Sequence, residues 1–142
     1  MNRISLSVMV LFAFPPASEN ELLIKAWPVA GPLAAAGMKQ SISATFTWDG
    51  SGRGTVTTLL PDGEACSGEY ACLSKRTPAF FHSEDYHNFY GGNLPQKGLQ
   101  YGQALLTGAC GTIIQAEFYI NLRANQRFGL ARDNRNNIYQ FL

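Results

Sequence analysis

Both histidines of the chain lie in one short polar stretch, Phe80-Phe81-His82-Ser83-Glu84-Asp85-Tyr86-His87-Asn88. Imidazole and carboxylate groups so close in sequence suggest a metal site formed by His82, His87 and either Glu84 or Asp85. On a helix, however, residues five positions apart point about 140° away from each other, and on a strand an odd separation places them on opposite faces. We therefore interpret the stretch as a solvated segment with aromatic anchors, and we expect no metal or other cofactor.

Ser67 and Cys66 are the candidate nucleophiles, because a serine or cysteine beside a histidine can form covalent intermediates. The local sequence Cys66-Ser67-Gly68 lacks the glycine two positions before the serine that a nucleophile elbow requires. A hydrolase that uses Ser67 or Cys66 with a histidine is thus an alternative, and the spacing specifies no catalytic residue.

The acidic residues show no pairing typical of glycosidases, since Glu64 and Glu69 have an odd separation and do not share a strand face. We interpret the candidate carboxylates as surface charges that keep the domain soluble: Asp62, Glu64, Glu69, Asp85 and Glu117. The loop Asp133-Asn134-Arg135-Asn136-Asn137 lacks the later glutamate of an EF-hand and is typical of a hairpin turn with positive φ.

The chain has three cysteines, at positions 66, 72 and 110. If Cys66 and Cys72 lie on one continuous strand, they are about 20 Å apart, whereas a disulfide needs Cα atoms within about 7 Å. We therefore expect a bridge from Cys110 to Cys66 or Cys72, with three buried free thiols as the alternative. The parity of Cys110 with the apolar face of the following strand favours its burial.

The first eighteen residues have the three parts of a secretory signal peptide: Arg3, an apolar run from Ile4 to Phe14, and the exit Pro15-Pro16-Ala17-Ser18. The run is too short to span a bilayer, which needs about 20 apolar residues. We expect a signal peptide over residues 1–18, a single mature domain over 19–142 without a membrane span, and a periplasmic or secreted location.

The charges are balanced and scattered, with 11 Lys and Arg against 10 Asp and Glu. A nucleic-acid-binding protein normally shows a basic stripe, so this class of partner is not expected.

Strand patterns dominate the remaining sequence. From Gln40 to Trp48, apolar residues alternate with Ser and Thr without a break, and turn residues follow at Asp49-Gly50-Ser51-Gly52. Further strands are expected at 21–27, where Pro28 ends the strand, and at 54–60, 64–73, 99–107, 112–122, 127–131 and 137–142. The pattern predicts an all-β domain, an antiparallel sandwich or small barrel of about eight strands with one short helix. The predicted core includes Ile42, Phe46, Trp48, Tyr70, Ile114, Phe118 and Ile120.

The short helix is expected at Ser83–Tyr90, capped by Ser83 and ended by Gly91-Gly92. Tyr86, Phe89 and Tyr90 would share one face at i, i+3, i+4 spacing and pack on the sheet. The candidate binding surface consists of the aromatic residues in and before this helix: Phe80, Phe81, Tyr86, Phe89 and Tyr90.

Four short motifs resemble a group of small exported proteobacterial proteins: Leu60-Pro61-Asp62-Gly63-Glu64, Gly68-Glu69-Tyr70, Gly108-Ala109-Cys110-Gly111-Thr112, and Gly129-Leu130-Ala131-Arg132-Asp133-Asn134 with Tyr139. Members of that group carry a signal peptide or a lipid anchor, are rich in β-structure and have no assigned function. This chain departs from the group in lacking a lipobox cysteine and in having Asn136 where a turn glycine is usual. The resemblance implies a location in the bacterial envelope and no catalytic residue.

Together these observations predict a non-enzymatic envelope protein that binds a partner protein or a surface component. The alternative is a small-ligand-binding barrel with Trp27, Trp48, Tyr86, Phe89 and Tyr90 at its mouth. An exposed aromatic patch would favour the partner-binding protein. An interior cavity would favour the barrel, and a cleft joining Ser67 to His82 or His87 would favour the hydrolase. The sequence does not specify an oligomeric state.

Overall fold

The protein is a closed barrel of eight antiparallel strands that follow one another around the barrel in chain order. The computed structural model describes residues 21–48, 50–74, 80–91, 99–121 and 126–141. The strands are β1 (Glu21–Ala30), β2 (Ile42–Thr47), β3 (Arg53–Leu59), β4 (Ala65–Leu73), β5 (Gln100–Gly108), β6 (Ile113–Asn121), β7 (Gln126–Asp133) and β8 (Ile138–Phe141). Two short helices, α1 (Pro32–Ala35) and α2 (Ser83–Tyr90), accompany them. The predicted signal peptide at 1–18 lies outside the described residues.

The barrel confirms the predicted all-β class, and alternation along each strand explains which side chains fill its interior. Four of the seven predicted core residues are buried, namely Phe46, Tyr70, Ile114 and Phe118. Ile42, Trp48 and Ile120 are partly buried and pack against the same cluster. The predicted core is therefore the inner face of the barrel.

One prediction about the first half of the chain is wrong. Pro28 does not end β1, which continues to Ala30, because the register with β8 shifts between Pro28 and Ala30. Such irregular positions tolerate a residue without an N–H donor. The small-residue stretch that follows contains the four-residue helix α1, a single helical turn.

A polar network closes the end of the barrel beside α1. The Leu33 N–H donates to Oδ1 of Asn137 at 2.8 Å, and Leu33 packs against the core. Beneath it, buried Asp133 accepts hydrogen bonds from the Tyr139 hydroxyl at 2.9 Å and from Nδ2 of Asn137 at 3.0 Å. Each of these buried polar groups has a hydrogen-bond partner, so together they close this end of the barrel. We call this hydrogen-bonded end the polar plug.

Glu64 belongs to the polar plug and is not the surface charge that we predicted. It is 7% exposed and accepts the Thr112 hydroxyl at 2.6 Å and the Cys110 N–H at 2.8 Å. The hydrogen bond from Thr112, and then those from the Cys110 and Thr112 N–H groups, hold the pKa of this carboxyl below its usual value. Arg135 adds a longer ion pair to Glu64, at 3.5 Å, and one to Asp62 at 3.2 Å.

Helix α2 has the predicted bounds and packs on the outer wall of the barrel. Its N-cap is His82, not Ser83: the His82 side chain accepts a backbone N–H of the first turn, and the Asp85 carboxylate accepts the His82 N–H at 2.8 Å. Rings from the helix, the preceding segment, β6 and β7 meet here. We call this set the outer aromatic cluster, and it comprises Phe81, Tyr86, Tyr90, Tyr119 and Phe128.

Glu117 anchors this outer layer from β6, although the sequence suggested a surface charge. Its side chain is fully buried between the barrel and the α2 segment. The carboxylate accepts the Tyr86 hydroxyl at 2.9 Å, the Tyr101 hydroxyl at 2.8 Å and the Phe80 N–H at 2.9 Å. Burial raises the pKa of Tyr101 above its ordinary value. Two of these three donors, Phe80 and Tyr86, belong to the α2 segment and therefore fasten it to the wall.

In the part of the chain that the structure describes, no helix is long and apolar enough to cross a membrane.

Candidate functional site: a cavity at the barrel mouth

The end of the barrel opposite α1 contains a cavity of about 310 Å³. We call it the mouth cavity. The residues that line it come from β1, β2, β4, β5, β6 and the β2–β3 turn: Leu22, Phe46, Trp48, Gly50, Gly52, Tyr70, Cys72, Gln100, Phe118 and Ile120. Ligand pockets typically have volumes of about 300–1,000 Å³ and are lined mainly by apolar and aromatic side chains. The mouth cavity has this character and lies near the lower limit of size.

Three aromatic rings form the floor of the mouth cavity. Ring centroids are 5.4 Å apart for Phe46 and Tyr70, 5.4 Å for Phe46 and Phe118, and 5.8 Å for Tyr70 and Phe118, and all three pairs are edge-to-face. This is the preferred arrangement of aromatic pairs and stabilises them beyond the burial of their area. The floor is therefore pre-formed.

Gly102 makes room for the Phe118 ring of the floor. Phe118 is the register partner of Gly102 on β5 and of Gly129 on β7. A Cβ at Gly102 would lie 2.3 Å from Cζ of Phe118, closer than any packed side chain allows, whereas a Cβ at Gly129 would meet the backbone of β6 and the Phe141 ring. Strand β5 thus leaves the space in which the Phe118 ring crosses the barrel interior.

Below the floor, the barrel is almost completely filled. The remaining space there is about 30 Å³ and is lined mainly by apolar side chains of the core, among them Val56, Ala104 and Leu106. That volume is comparable with one water molecule. Space for a larger molecule lies above the floor.

Among the described residues that line the mouth cavity, none carries a carboxylate, ammonium, guanidinium or imidazole group. The polar side-chain groups of these residues are the Gln100 amide, the Tyr70 hydroxyl, the Trp48 indole N–H and the Cys72 thiol. Burial raises the pKa of the Cys72 thiol, so this group is neutral at physiological pH. The cavity therefore suits an uncharged molecule.

The β2–β3 turn forms part of the rim of the mouth cavity. Gly50 and Gly52 have φ angles of 90° and 84°, which favour glycine. A Cβ at Gly52 would also lie 3.6 Å from Cβ of Cys72. The predicted turn chemistry is thus confirmed at these two glycines, while Asp49 lies outside the described residues.

The predicted binding aromatics do not form an exposed patch. Phe81 and Tyr86 are 1% and 3% exposed, and Phe80, Phe89 and Tyr90 are half-buried against the barrel wall. Of the aromatics proposed for a barrel mouth, Trp48 alone lines the mouth cavity. Trp27 is on the outer face of β1 opposite Gln140, and Tyr86, Phe89 and Tyr90 belong to the outer layer.

All three cysteines are free, so the expected bridge from Cys110 to Cys66 or Cys72 is absent from the structure. Cys66 and Cys72 both face the barrel interior from β4, and burial raises the pKa of Cys66. The predicted burial of Cys110 is wrong, since β6 begins only at Ile113 and Cys110 lies exposed in the preceding turn. The alternation of the strand does not extend into that turn.

The candidate catalytic residues are not brought together. Ser67 is exposed on the outer wall, in a depression also lined by Ser43, Thr57 and Ala65, and neither histidine belongs to that lining. His82 and His87 are both exposed on the α2 segment. Within the described residues, no three His, Cys, Asp or Glu side chains are grouped as metal ligands.

A larger depression of about 730 Å³ lies on the outer wall over β3, β4 and β5. Its lining mixes the charged residues Arg53 and Glu69 with Leu105 and Phe80, and it is more open to solvent than the mouth cavity. The mouth cavity surrounds a bound molecule more completely and is the better candidate site.

Comparisons of the chain with protein-family models, with curated proteins and with solved structures find no match.

Proposed function

We propose that this protein is an exported, non-enzymatic barrel that binds a small, uncharged and largely apolar molecule in the mouth cavity. The observation that carries the proposal is the mainly apolar cavity of about 310 Å³ above the floor of Phe46, Tyr70 and Phe118. Small eight-stranded barrels can hold one small ligand at this position. The partner-binding function that we predicted from the sequence lacks its main support, because the α2 aromatics are packed on the wall.

The volume of the mouth cavity limits the size of the molecule. An apolar cavity of about 150 Å³ binds benzene, and the space here is about twice as large. A molecule with two fused rings, or an aliphatic molecule of similar bulk, matches this volume.

The binding energy comes mainly from apolar burial. Each square ångström of apolar surface removed from water contributes about 25 cal/mol. The floor rings already pack on one another in the empty protein, so little side-chain ordering opposes binding.

Export is part of the proposal and rests on the charged, apolar and small-residue series at residues 1–18. N-terminal sequencing of protein recovered from the periplasm or medium of an expressing bacterium tests it. We expect a mature chain that begins near Glu19, and an intact Met1 in that fraction would contradict export.

Equilibrium dialysis with naphthalene tests binding in the mouth cavity. Ile120→Trp adds bulk from β6 into the cavity, and Leu22→Trp does so from the opposite wall. The matched control is Ile113→Trp, because Ile113 is on the same strand and 45% exposed on the outer face. We expect saturable binding to the wild type and the control, and about tenfold weaker binding to each cavity variant, a difference of about 1.4 kcal/mol.

Circular dichroism melting of the four proteins establishes that each variant is folded at the dialysis temperature. If folded Ile120→Trp and Leu22→Trp both bind naphthalene like the wild type, the cavity is not the binding site. If the wild type does not bind naphthalene, the proposed function itself is wrong.

A further inference from the structure

We infer that the natural ligand is a planar aromatic molecule with one uncharged polar group, whose rings pack on the floor of the mouth cavity while the polar group hydrogen-bonds the Gln100 amide. This inference rests on the proposed function and specifies the class of molecule bound. Two separate features of the cavity carry it, its aromatic lining and the position of Gln100.

The aromatic lining distinguishes a flat ring from an aliphatic molecule of the same bulk. Four of the ten lining residues are Phe46, Trp48, Tyr70 and Phe118. The interplanar angles of the floor rings are 64°, 71° and 74°, so ring faces and ring edges both border the empty space. An aromatic ligand extends this edge-to-face pattern through its quadrupole, whereas a saturated ring gains only dispersion and burial.

Gln100 is the residue at the rim of the mouth cavity that can hydrogen-bond a polar group of the ligand. It faces inward at the start of β5, where its register partner is Ile120, and it is exposed to solvent. Its side chain forms no hydrogen bond with another described residue. The amide has both a donor and an acceptor, so it can bind a hydroxyl, carbonyl or N–H group.

The same geometry sets the orientation of the ligand. Of the other polar groups in the lining, the thiol of Cys72 is a weak hydrogen-bonding group, the Trp48 indole N–H can only donate, and the Tyr70 hydroxyl belongs to a floor ring that packs on Phe46 and Phe118. We place the polar group of the ligand at Gln100, because this amide both donates and accepts and is exposed at the edge of the cavity, and we place the apolar body against the floor rings. None of the described lining residues has a cationic side chain that could neutralise a carboxylate, which favours a neutral polar group.

A series of four compounds with the same carbon skeleton tests this inference by equilibrium dialysis. The compounds are naphthalene, naphthol, decahydronaphthol and naphthoate. We expect naphthol to bind about threefold to tenfold more tightly than naphthalene, the factor for one net hydrogen bond. We expect a similar factor over decahydronaphthol, which lacks the aromatic system, and weak binding of the charged naphthoate.

The variant Gln100→Leu tests whether the Gln100 amide makes the hydrogen bond with the polar group of the ligand. We expect this variant to lose the preference for naphthol over naphthalene while it still binds naphthalene. The matched control is Gln115→Leu, since Gln115 is exposed on the outer face of β6, and this variant should keep the preference.

The outcomes separate the two proposals. Equal affinities for naphthalene, naphthol and decahydronaphthol, or tight binding of naphthoate, would overturn the inferred ligand class and leave a binding barrel. An unchanged naphthol preference in Gln100→Leu would overturn the role of Gln100. Failure of all four compounds to bind would instead reject the proposed function.

Discussion

The molecule contains two groups of aromatic side chains, one inside the barrel mouth and one on its outer wall. The group inside the mouth borders an unfilled cavity, whereas the rings of the outer group pack on one another. In the outer aromatic cluster, ring packs on ring, and the hydroxyls of Tyr86 and Tyr90 are bound by Glu117 and by the backbone of β7 and β8. In the mouth cavity, Phe46, Tyr70, Phe118 and Trp48 border a space of about 310 Å³. A cluster of aromatic side chains alone therefore does not indicate a binding site, whereas an unfilled cavity lined by such side chains does.

The difference predicts that changes in the outer cluster reduce stability and leave ligand binding intact, while changes at the mouth affect binding. The following variants test this separation, from the largest expected effect to the smallest.

Phe118→Ala should have the largest effect, because this ring is 1% exposed and touches both other floor rings. We expect the free energy of unfolding to fall by about 3–5 kcal/mol, measured by urea unfolding. A loss below about 0.5 kcal/mol would show that the ring does not support the floor.

Tyr86→Phe removes one donor from buried Glu117 and keeps the ring of the outer cluster. We expect a loss of about 1–3 kcal/mol of stability, since a buried carboxylate loses a partner, and unchanged naphthalene affinity. The control His87→Ala alters an exposed residue of the same helix and should change stability by less than about 0.5 kcal/mol. Altered naphthalene affinity in folded Tyr86→Phe would contradict the separation.

Alkaline pH should weaken the outer cluster through Tyr90. Burial raises its pKa from 10.0 to about 12, so the folded state disfavours the phenolate. This contribution is complete below pH 10 and is lost as the pH rises towards 12. Urea unfolding across this interval should show falling stability, and Tyr90→Phe should flatten the decline; an identical decline in Tyr90→Phe would exclude this role of Tyr90.

The smallest effect concerns the thiol in the mouth cavity. In Cys110→Ser, which removes the exposed thiol, Cys72 should react slowly with a maleimide because burial raises its pKa. Increasing concentrations of naphthalene should lower that rate in proportion to the fraction of protein bound. Mass spectrometry of digested samples identifies the modified cysteine, and a rate independent of naphthalene would place the ligand elsewhere.

Much of the fold was predictable because it follows from local patterns. The alternation from Gln40 to Trp48 indicates β2 and its inner face, and aromatic spacing indicates α2, although the N-cap of this helix is His82 and not the predicted Ser83. These features depend on residues close in sequence.

The site was not predictable, because it depends on which residues of different strands face one another. The Phe118 ring fits because its register partner on β5 is Gly102, and no local pattern sets that register. The available sequence signal for the cavity was the strand alternation that places Cys72 and Ile120 on the inner face of the barrel. The burial of Glu64 and Glu117 likewise follows from donors distant in sequence, Thr112 for one and Tyr86 for the other.

Intermolecular nuclear Overhauser effects between naphthalene and the assigned aromatic protons of the protein determine whether the ligand binds in the mouth cavity. We expect contacts from naphthalene to Trp48 and Phe118 at the mouth and none to Tyr86 or Phe128 in the outer aromatic cluster. Contacts confined to Tyr86 and Phe128 would contradict this expectation and would place the binding site on the outer wall.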